Sequence, residues 1–598
     1  MMRRPGKMPK KEKITKKDLK KLFKSIKPYS FFILVAMVFI ITSVVLSILA
    51  PSHLSNLTNE MANNAISKSI DENRIWEIAR LLIIFYAIIA FCSLASGFIM
   101  NRVTQSYGKK LRQQISEKIN RMPLRYFDAH PYGDTLSIVT NDVDTITQSL
   151  QQSITTFLQS ITTLVGVLIA MFITNWIMAL TVFASLPLML LNIGFITKLA
   201  VPQFMRRQKV TGEVNGIVEE NFSGTTVIKL FNAEKRRQKQ FEASNEKLHK
   251  AMIKAQIFGG FMQPIMSFIS YFAYASVFIV GGLLMANGNI ITYGTITAFM
   301  IYVNLFQSPL SQIAQSMNTI QMAAAASARV FGILDEEEEI DDSKYELKLN
   351  DKVEGHVEFK NVKFGYIEDK IIIPNFSCDV KPGMKVAIVG PTGAGKTTLV
   401  NLLMRFYEIN DGDILIDGVS IKDMSKAELR SIFGMVLQDS WIFDGTIKEN
   451  ICYSNDDVTD EKLNEALEEA CLANYVSTLK NGVNTPLNGE GSLSQGQKQL
   501  ITIARALVDD APLLILDEAT SNVDTRTEIL IQQAMDNLTK GRTSFVIAHR
   551  LSTIKNADLI LVLKDGNIVE QGNHDFLMNL NGFYANLYNS QFIEGEEI

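Results

Sequence analysis

Uncharged apolar stretches long enough to cross a membrane mark the first half of the chain, and short strand-like runs alternate with helix-length segments in the second. The stretch Tyr29–Ala50, "YSFFILVAMVFIITSVVLSILA", has the length a helix needs to cross a hydrocarbon core of about 30 Å. It is too long for the apolar region of a signal peptide, and Pro51 follows without a small-x-small cleavage pattern. Further spans are expected near Ile78–Met100, Ile154–Thr174, Trp176–Ile196, Phe258–Met285 and Thr295–Ile320, the last interrupted by Asn304, Gln307, Gln312 and Gln315. The pattern predicts six membrane helices, with Pro187, Pro264 and Pro309 as positions where three of them can kink.

Loop charge sets the orientation. The long segments between the second and third spans and between the fourth and fifth are rich in Lys and Arg, whereas the short turns near Asn175 and at Asn287–Ile290 carry no positive charge. The long segments and both termini are therefore expected in the cytoplasm of a multi-pass protein of the cytoplasmic (inner) membrane. Their helical patterning extends the spans beyond the bilayer. From about Val353 the runs "VEFKNVKFGY", "MKVAIVG", "GDILIDG", "LLILDE" and "SFVIAH" predict an α/β domain with a substantially parallel sheet. The implied divisions are a basic leader at 1–27, a membrane domain at 28–322, a solvated acidic linker at 323–352 and the α/β domain at 353–592.

Composition agrees with that division. Of 598 residues 47% are hydrophobic and 20% charged, an apolar balance for a water-soluble chain. The net charge of -3 by itself argues neither for nor against nucleic acid. Cys92, Cys378, Cys452 and Cys471 are scattered, with no C-x-x-C pair or neighbouring His, so neither a zinc site nor a disulfide framework is indicated.

The chemistry lies in the second half. "GPTGAGKTT" comprises Gly390, Pro391, Thr392, Gly393, Ala394, Gly395, Lys396, Thr397 and Thr398, and it joins an apolar strand to a helix start. In that context backbone N–H groups and the helix N-terminus face phosphates, Lys396 reaches the β and γ groups, and Thr397 can ligate Mg²⁺. Downstream, "LLILDEATS" delivers Asp517 to the metal region and sets Glu518 beside it, placed to polarise an attacking water.

These motifs stand in order with Tyr366, Gln438 in "VLQDSWIF", "LSQGQ" (Leu493, Ser494, Gln495, Gly496, Gln497), Asp524 in "SNVD" and His549 in "VIAHR". The segment resembles the nucleotide-binding domain of an ABC transporter, and nearly everything from Tyr29 to about Phe592 resembles a bacterial ABC exporter half-transporter. The resemblance implies a six-span helical membrane domain followed by an α/β phosphate-loop ATPase domain with a helical subdomain. It also implies that Tyr366 stacks on adenine, that Gln438 senses Mg²⁺ and the attacking water, and that His549 contacts the γ-phosphate. Each ATP would lie between one chain's phosphate loop and another's "LSQGQ" helix start, where Ser494 and the N–H groups around Gly496 meet the γ-phosphate, so the working unit is a dimer.

Two positions depart from the family pattern: Gln495 stands where Gly is common, and "SNVD" where Ser-Ala-Leu-Asp is common. Either is tolerated variation, or this signature faces a partner's degenerate ATP site. Together with the Lys-rich leader the departures favour a heterodimer of two half-transporters, with a homodimer still open.

The central portions of the spans hold no Asp, Glu, Lys or Arg, which removes the usual signs of a proton relay or a charged-solute site. Aromatic and amide side chains on the later spans, Phe268, Tyr271, Phe272, Phe299, Tyr302 and Phe306 with Asn304 and Gln307, offer either helix packing or a wall for small amphipathic compounds. Arg125–Asp134 and Asn221–Glu234 fall where the family's short coupling helices meet the ATPase domains. The expected function is ATP-driven export of amphipathic or hydrophobic compounds, multidrug or lipid-like, by alternating access. The alternatives are a dedicated peptide, lipid or haem-like cargo, an ATP-gated or regulatory membrane subunit, and a soluble ATPase acting on DNA. That last class lacks six spans, and no nucleic-acid partner is expected.

Overall fold

The computed structural model describes residues 21–590, apart from residues 23, 68–70, 288–290, most of 340–352, 368–369, 439, 454, 456, 488–492, 518–522 and 549–550. The basic leader therefore lies almost wholly outside the described residues. The chain divides into two compact units, Met1–Arg121 with His130–Glu336, and Met122–Ala129 with Glu337–Ile598.

Long helices build the first unit. Ser30–Ser67 and Glu72–Ile119 are 38 and 48 residues long. At 1.5 Å per residue the second runs roughly 70 Å, more than twice a hydrocarbon core. Five helical runs among the described residues are long and apolar enough to cross a membrane: Lys24–Asn64, Glu72–Ile119, Tyr132–Thr174, Trp176–Ser223 and Glu234–Ala286. The sixth expected span falls inside Tyr293–Asp335, a 43-residue helix whose amides lower its hydropathy, and it is not among the five.

Local chemistry sets the breaks. Asn175 ends one span and caps the next, its Oδ1 accepting from the N–H groups of Ile177 at 3.1 Å and Met178 at 3.0 Å. Pro187 sits in the first turn of Leu186–Ser223, where a missing N–H costs nothing, and Pro264 lies near the start of Met262–Ala286, just after the break at Phe261. Pro309 is inside the Tyr293–Asp335 helix. Toward the C-terminal end of that helix, Arg329 donates to both carboxylate oxygens of buried Asp142, with Nε at 2.7 Å from Oδ2. The fork geometry pins this helix to the π turn Ile138–Asp142.

The second unit is built on sheets. Strands β1 (Val357–Phe364), β2 (Ile373–Val380), β4 (Asp411–Ile416) and β5 (Val419–Ser420) form an antiparallel sheet in the order β2-β1-β4-β5. A second sheet joins β3 (Lys385–Val389), β6 (Phe433–Val436), β9 (Leu513–Asp517), β10 (Thr543–Ile547), β11 (Leu559–Lys564) and β12 (Asn567–Gly572) in the order β12-β11-β3-β10-β9-β6. Its pairings are parallel except at β11–β12. The β9 and β10 runs are buried on both faces up to Leu516 and Ile547, which explains why they read as continuous apolar stretches rather than alternating ones. Between β6 and β9 the chain forms the ribbon β7 (Gly445–Thr446) and β8 (Pro486–Leu487) and the helices Asp460–Glu469 and Ala473–Thr478.

The acidic run is not simply a solvated linker, as its composition had implied. It begins inside the Tyr293–Asp335 helix, and its later carboxylates dock on the second unit. Asp342 accepts from the backbone N–H groups of Lys426 and Ala427 at 2.9 and 2.8 Å, at the start of the helix Lys426–Ser431. Glu339 lies 3.4 Å from Lys426 and 3.7 Å from Arg430. An acid at a helix N-terminus satisfies donors the helix leaves over, a role composition does not reveal.

Candidate functional site

The phosphate loop follows β3, an interior strand of the parallel sheet, and three of its glycines have conformations other residues resist. Gly393 and Gly395 have φ of +87° and +102°. At Gly390 an added Cβ would stand 2.3 Å from the carbonyl oxygen of Leu563. Gly395 is the N-cap of Lys396–Leu403 and supplies no side-chain cap, so the first-turn N–H groups remain for a ligand. Lys396 Nζ donates to the loop's own carbonyls, Gly390 at 2.6 Å and Pro391 at 3.4 Å. Burial lowers its pKa, and the negative charge of Asp517 works against that shift.

Around this loop lies a cavity of about 330 Å³, lined by Thr392 to Thr398 together with Ile372, Gln438, Asp517 and Ile547. Gln438 follows β6 and Asp517 ends β9, so the parallel order of the sheet brings both to one edge beside the loop. Ile372 and Ile547 are apolar wall residues that sequence reasoning did not single out. Glu518 and His549 lie outside the described residues, immediately after Asp517 and Ala548.

Tyr366 is half-buried next to the loop rather than among the lining residues. Its hydroxyl donates to Thr398 Oγ1 at 3.3 Å and accepts from Asn401 Nδ2 at 3.4 Å. Its ring packs edge-on against Phe364 and Tyr407, with centroids 5.0 and 4.8 Å away. Tyr407 in turn donates to Asp128 of the short helix Leu124–Ala129, whose Leu124 packs against the core of the same unit. One of the two expected coupling segments thus reaches the nucleotide loop through two tyrosines. The other, around the helix Thr225–Leu230, shows Phe222, Val227, Leu230 and Phe231 largely exposed.

"LSQGQ" does not line the cavity. Ser494 caps the 15-residue helix Gln495–Asp509, its Oγ accepting from Gln497 N at 3.3 Å while Gln497 Oε1 accepts from Ser494 N at 2.9 Å. Gln495 is exposed at the first helical position. Gly496 is buried, and a Cβ on it would lie 2.3 Å from Thr527 Cγ2. Thr527 belongs to Thr525–Thr539, the helix capped by Asp524, whose Oδ1 accepts from Thr527 N at 3.0 Å. That backbone hydrogen bond holds the Asp524 carboxyl below its ordinary range. The fold therefore demands glycine at 496 and accepts a side chain at 495.

In the first unit a larger cavity of about 960 Å³ opens among Leu186–Ser223, Glu234–Gly260, Met262–Ala286 and Tyr293–Asp335. Tyr271 lines it. Phe299, Tyr302 and Phe306 do not, and the expectation that they form a substrate wall is corrected. They are 0–1% exposed and pack with Ile40, Val44, Ile48, Val167 and Met171 inside the helical core. Phe272 is exposed and not part of the cavity. The lining residues missed from sequence are chiefly Gln256, Gln263, Ser267, Ser270 and Tyr274.

Comparison with known proteins decides the family. Residues 33–310 match the ABC transporter transmembrane region and residues 373–521 the ABC transporter domain. The fatty acid ABC transporter ATP-binding/permease protein of Mycobacterium tuberculosis is 46% identical over 505 residues, covering 84% of this chain and 79% of the relative. The chain belongs to the ABC transporter family. An ATP-dependent lipid A-core flippase of Desulfotalea psychrophila is 36% identical over 581 residues, covering 96% of this chain and 100% of that protein. The "Probable multidrug resistance ABC transporter ATP-binding/permease protein YheH" of Bacillus subtilis is 37% identical over 496 residues, covering 82% and 72%. Membrane region and ATPase domain are fused in one chain, as in an exporter half-transporter, and the chain binds ATP and couples its hydrolysis to export.

Proposed function

We propose that the chain is a six-span subunit of a dimeric exporter that moves amphipathic or hydrophobic compounds, lipid-like or drug-like, across the cytoplasmic membrane by alternating access, with both termini in the cytoplasm. The observation that carries this reading is the pairing, on one chain, of a charged phosphate-loop cavity with a large uncharged cavity among the membrane helices. The names of the relatives, a fatty acid transporter, a lipid flippase and a multidrug protein, support a substrate of that kind.

In the ATP site, backbone N–H groups from Gly393 to Thr397 and the Lys396 ammonium hold the phosphates, and Tyr366 and Ile372 provide surface for adenine. Thr397, Gln438 and Asp517 offer hydroxyl, amide and carboxylate oxygens to one cavity, a donor set that suits Mg²⁺ beside nucleotide phosphates. Such an ion would offset charge on the transferring phosphoryl group. Glu518 orients and polarises the attacking water, and His549 contacts the γ-phosphate. The signature of one chain closes over the ATP of another, with Ser494 and the N–H groups near Gly496 as donors. Closure of the two ATPase domains turns the membrane cavity outward, and hydrolysis resets it.

The second chain is read as a different half-transporter. Gln495 in the signature and "SNVD" in the following loop are the departures that favour it, and the exposed apolar face around Thr225–Leu230 fits docking on a second chain. The test is ATP-dependent accumulation of a fluorescent amphiphile in inside-out vesicles, from the chain expressed alone and with a co-expressed candidate second half-transporter. Accumulation that needs the second chain and disappears with Glu518→Gln is expected. Full accumulation by the chain alone overturns the heterodimer, and no ATP-dependent accumulation in either preparation overturns export.

A further inference from the structure

We propose that the membrane-half cavity takes an uncharged amphiphile whose head carries hydrogen-bond acceptors, in preference to an anionic lipid. The inference rests on the export reading and narrows its substrate class. About 960 Å³ lies at the upper end of the range that holds one drug-sized molecule.

Two polar stripes share this space. On Met262–Ala286, Gln263, Ser267, Ser270 and Tyr274 recur every three or four residues and occupy one helical face. On Tyr293–Asp335, Asn304, Gln307, Ser308 and Gln315 keep the same phase. Polar side chains at membrane depth are costly against lipid and settle toward a bundle interior or a cavity. Two in-phase stripes facing one space therefore provide for a polar guest. Phe204, Met262, Met266, Ile193 and Ile196 supply the apolar remainder of the wall, where a tail can lie.

Gln307 makes the requirement specific. Its Nε2 is buried with no hydrogen-bond partner among the described residues, whereas Gln312, five residues on, accepts from Ser160 at 3.0 Å and donates to Ser308 at 3.1 Å. An unpaired buried amide donor calls for an acceptor oxygen, which an ester, hydroxyl or carbonyl head provides.

Charge is excluded by the same wall. Among the described residues no Asp, Glu, Lys or Arg of this chain lines the cavity, and Arg207 lies over the lining ring of Phe204, its guanidinium 5.0 Å from the ring's centroid. A phosphate or carboxylate head would be held without a counter-charge, at a desolvation cost that neutral amides do not repay. A cationic head would likewise find no carboxylate.

The test compares 1-palmitoylglycerol with its phosphate, lysophosphatidic acid, which has the same tail and glycerol and carries a charged phosphate on the head. Binding of each radiolabelled probe is measured without nucleotide on the purified full chain, together with any second chain it assembles with. ATP hydrolysis is measured in the same preparation, so failure of this inference and failure of the export reading appear in different assays. The neutral probe is expected to bind about tenfold tighter or more, and Gln307→Leu to weaken it by about tenfold while leaving the phosphate unchanged. Asn304→Lys, which supplies a counter-charge, is expected to move the preference toward the phosphate. Binding of lysophosphatidic acid as tight as or tighter than that of the neutral probe by the unaltered chain overturns the inference. So does a preference that neither substitution changes.

Discussion

The ATPase unit contains two glycine-bearing helix starts, and they solve the same problem in opposite ways. At the phosphate loop the N-cap is Gly395, in a left-handed conformation and with no side chain to satisfy the first turn. At the signature the N-cap is Ser494, locked with Gln497 in a reciprocal capping box. The first start leaves its donors for a ligand and depends on Lys396 and the cavity walls to hold one. The second is satisfied internally, exposed and complete before any nucleotide arrives. A surface of that kind can be presented to another chain's ATP without collapsing when it is absent.

The largest expected effect separates chemistry from both starts. Glu518→Gln should lower ATP turnover by about 10²–10⁴-fold while equilibrium binding of a fluorescent ATP analogue stays near normal, since the amide keeps shape and loses the base. Loss of binding in that variant would mean the carboxylate belongs to the phosphate-holding start after all. Next, Lys396→Ala should weaken ATP itself. Removing a charge-assisted hydrogen bond worth about 1.5–3 kcal/mol corresponds to roughly 10–150-fold in Kd by titration.

Gly496→Ala probes the other start. The new methyl would press on Thr527, and overpacking of this kind costs about 1–3 kcal/mol, visible as a lower Tm. ATP affinity of the isolated chain should hold, because the signature does not line that chain's own cavity. Smallest is Ser494→Ala, which removes a cap worth about 1 kcal/mol. Its expected signature is reduced ATP-induced dimerisation by light scattering, with monomer ATP affinity unchanged. If affinity fell in step with Lys396→Ala, the division between the two starts would fail.

The helix start at "LSQGQ" was legible, whereas its capping box was not singled out although Ser-x-x-Gln before an apolar-periodic run carries its own mechanism. Gln438 was joined to Asp517 by the family resemblance alone, and the structure supplies the physical reason, since both stand at the ends of strands of one parallel sheet. The membrane cavity was legible in kind and wrong in detail. A helix turns 100° per residue, so Tyr302 and Phe306 each lie about 200° from Asn304 and on another face. The lipid-facing surface is as apolar as the core, so hydropathy gives no phase from which to orient the aromatics. The docked carboxylates of Glu339 and Asp342 were hidden for a different reason. Their partners, Lys426 and the N-terminus of its helix, lie more than eighty residues away, and composition has no long-range memory.

The bond between Tyr407 and Asp128 joins positions 279 residues apart. At bacterial-type synthesis rates of about 5–20 residues per second, Asp128 leaves the ribosome roughly 15–60 s before its partner. During that interval the helix Leu124–Ala129 has no sheet to rest on, and Leu124 stays uncovered. The ATPase domain therefore cannot finish its core from its own contiguous stretch of chain. Its last piece was made first and has to wait for the rest to arrive.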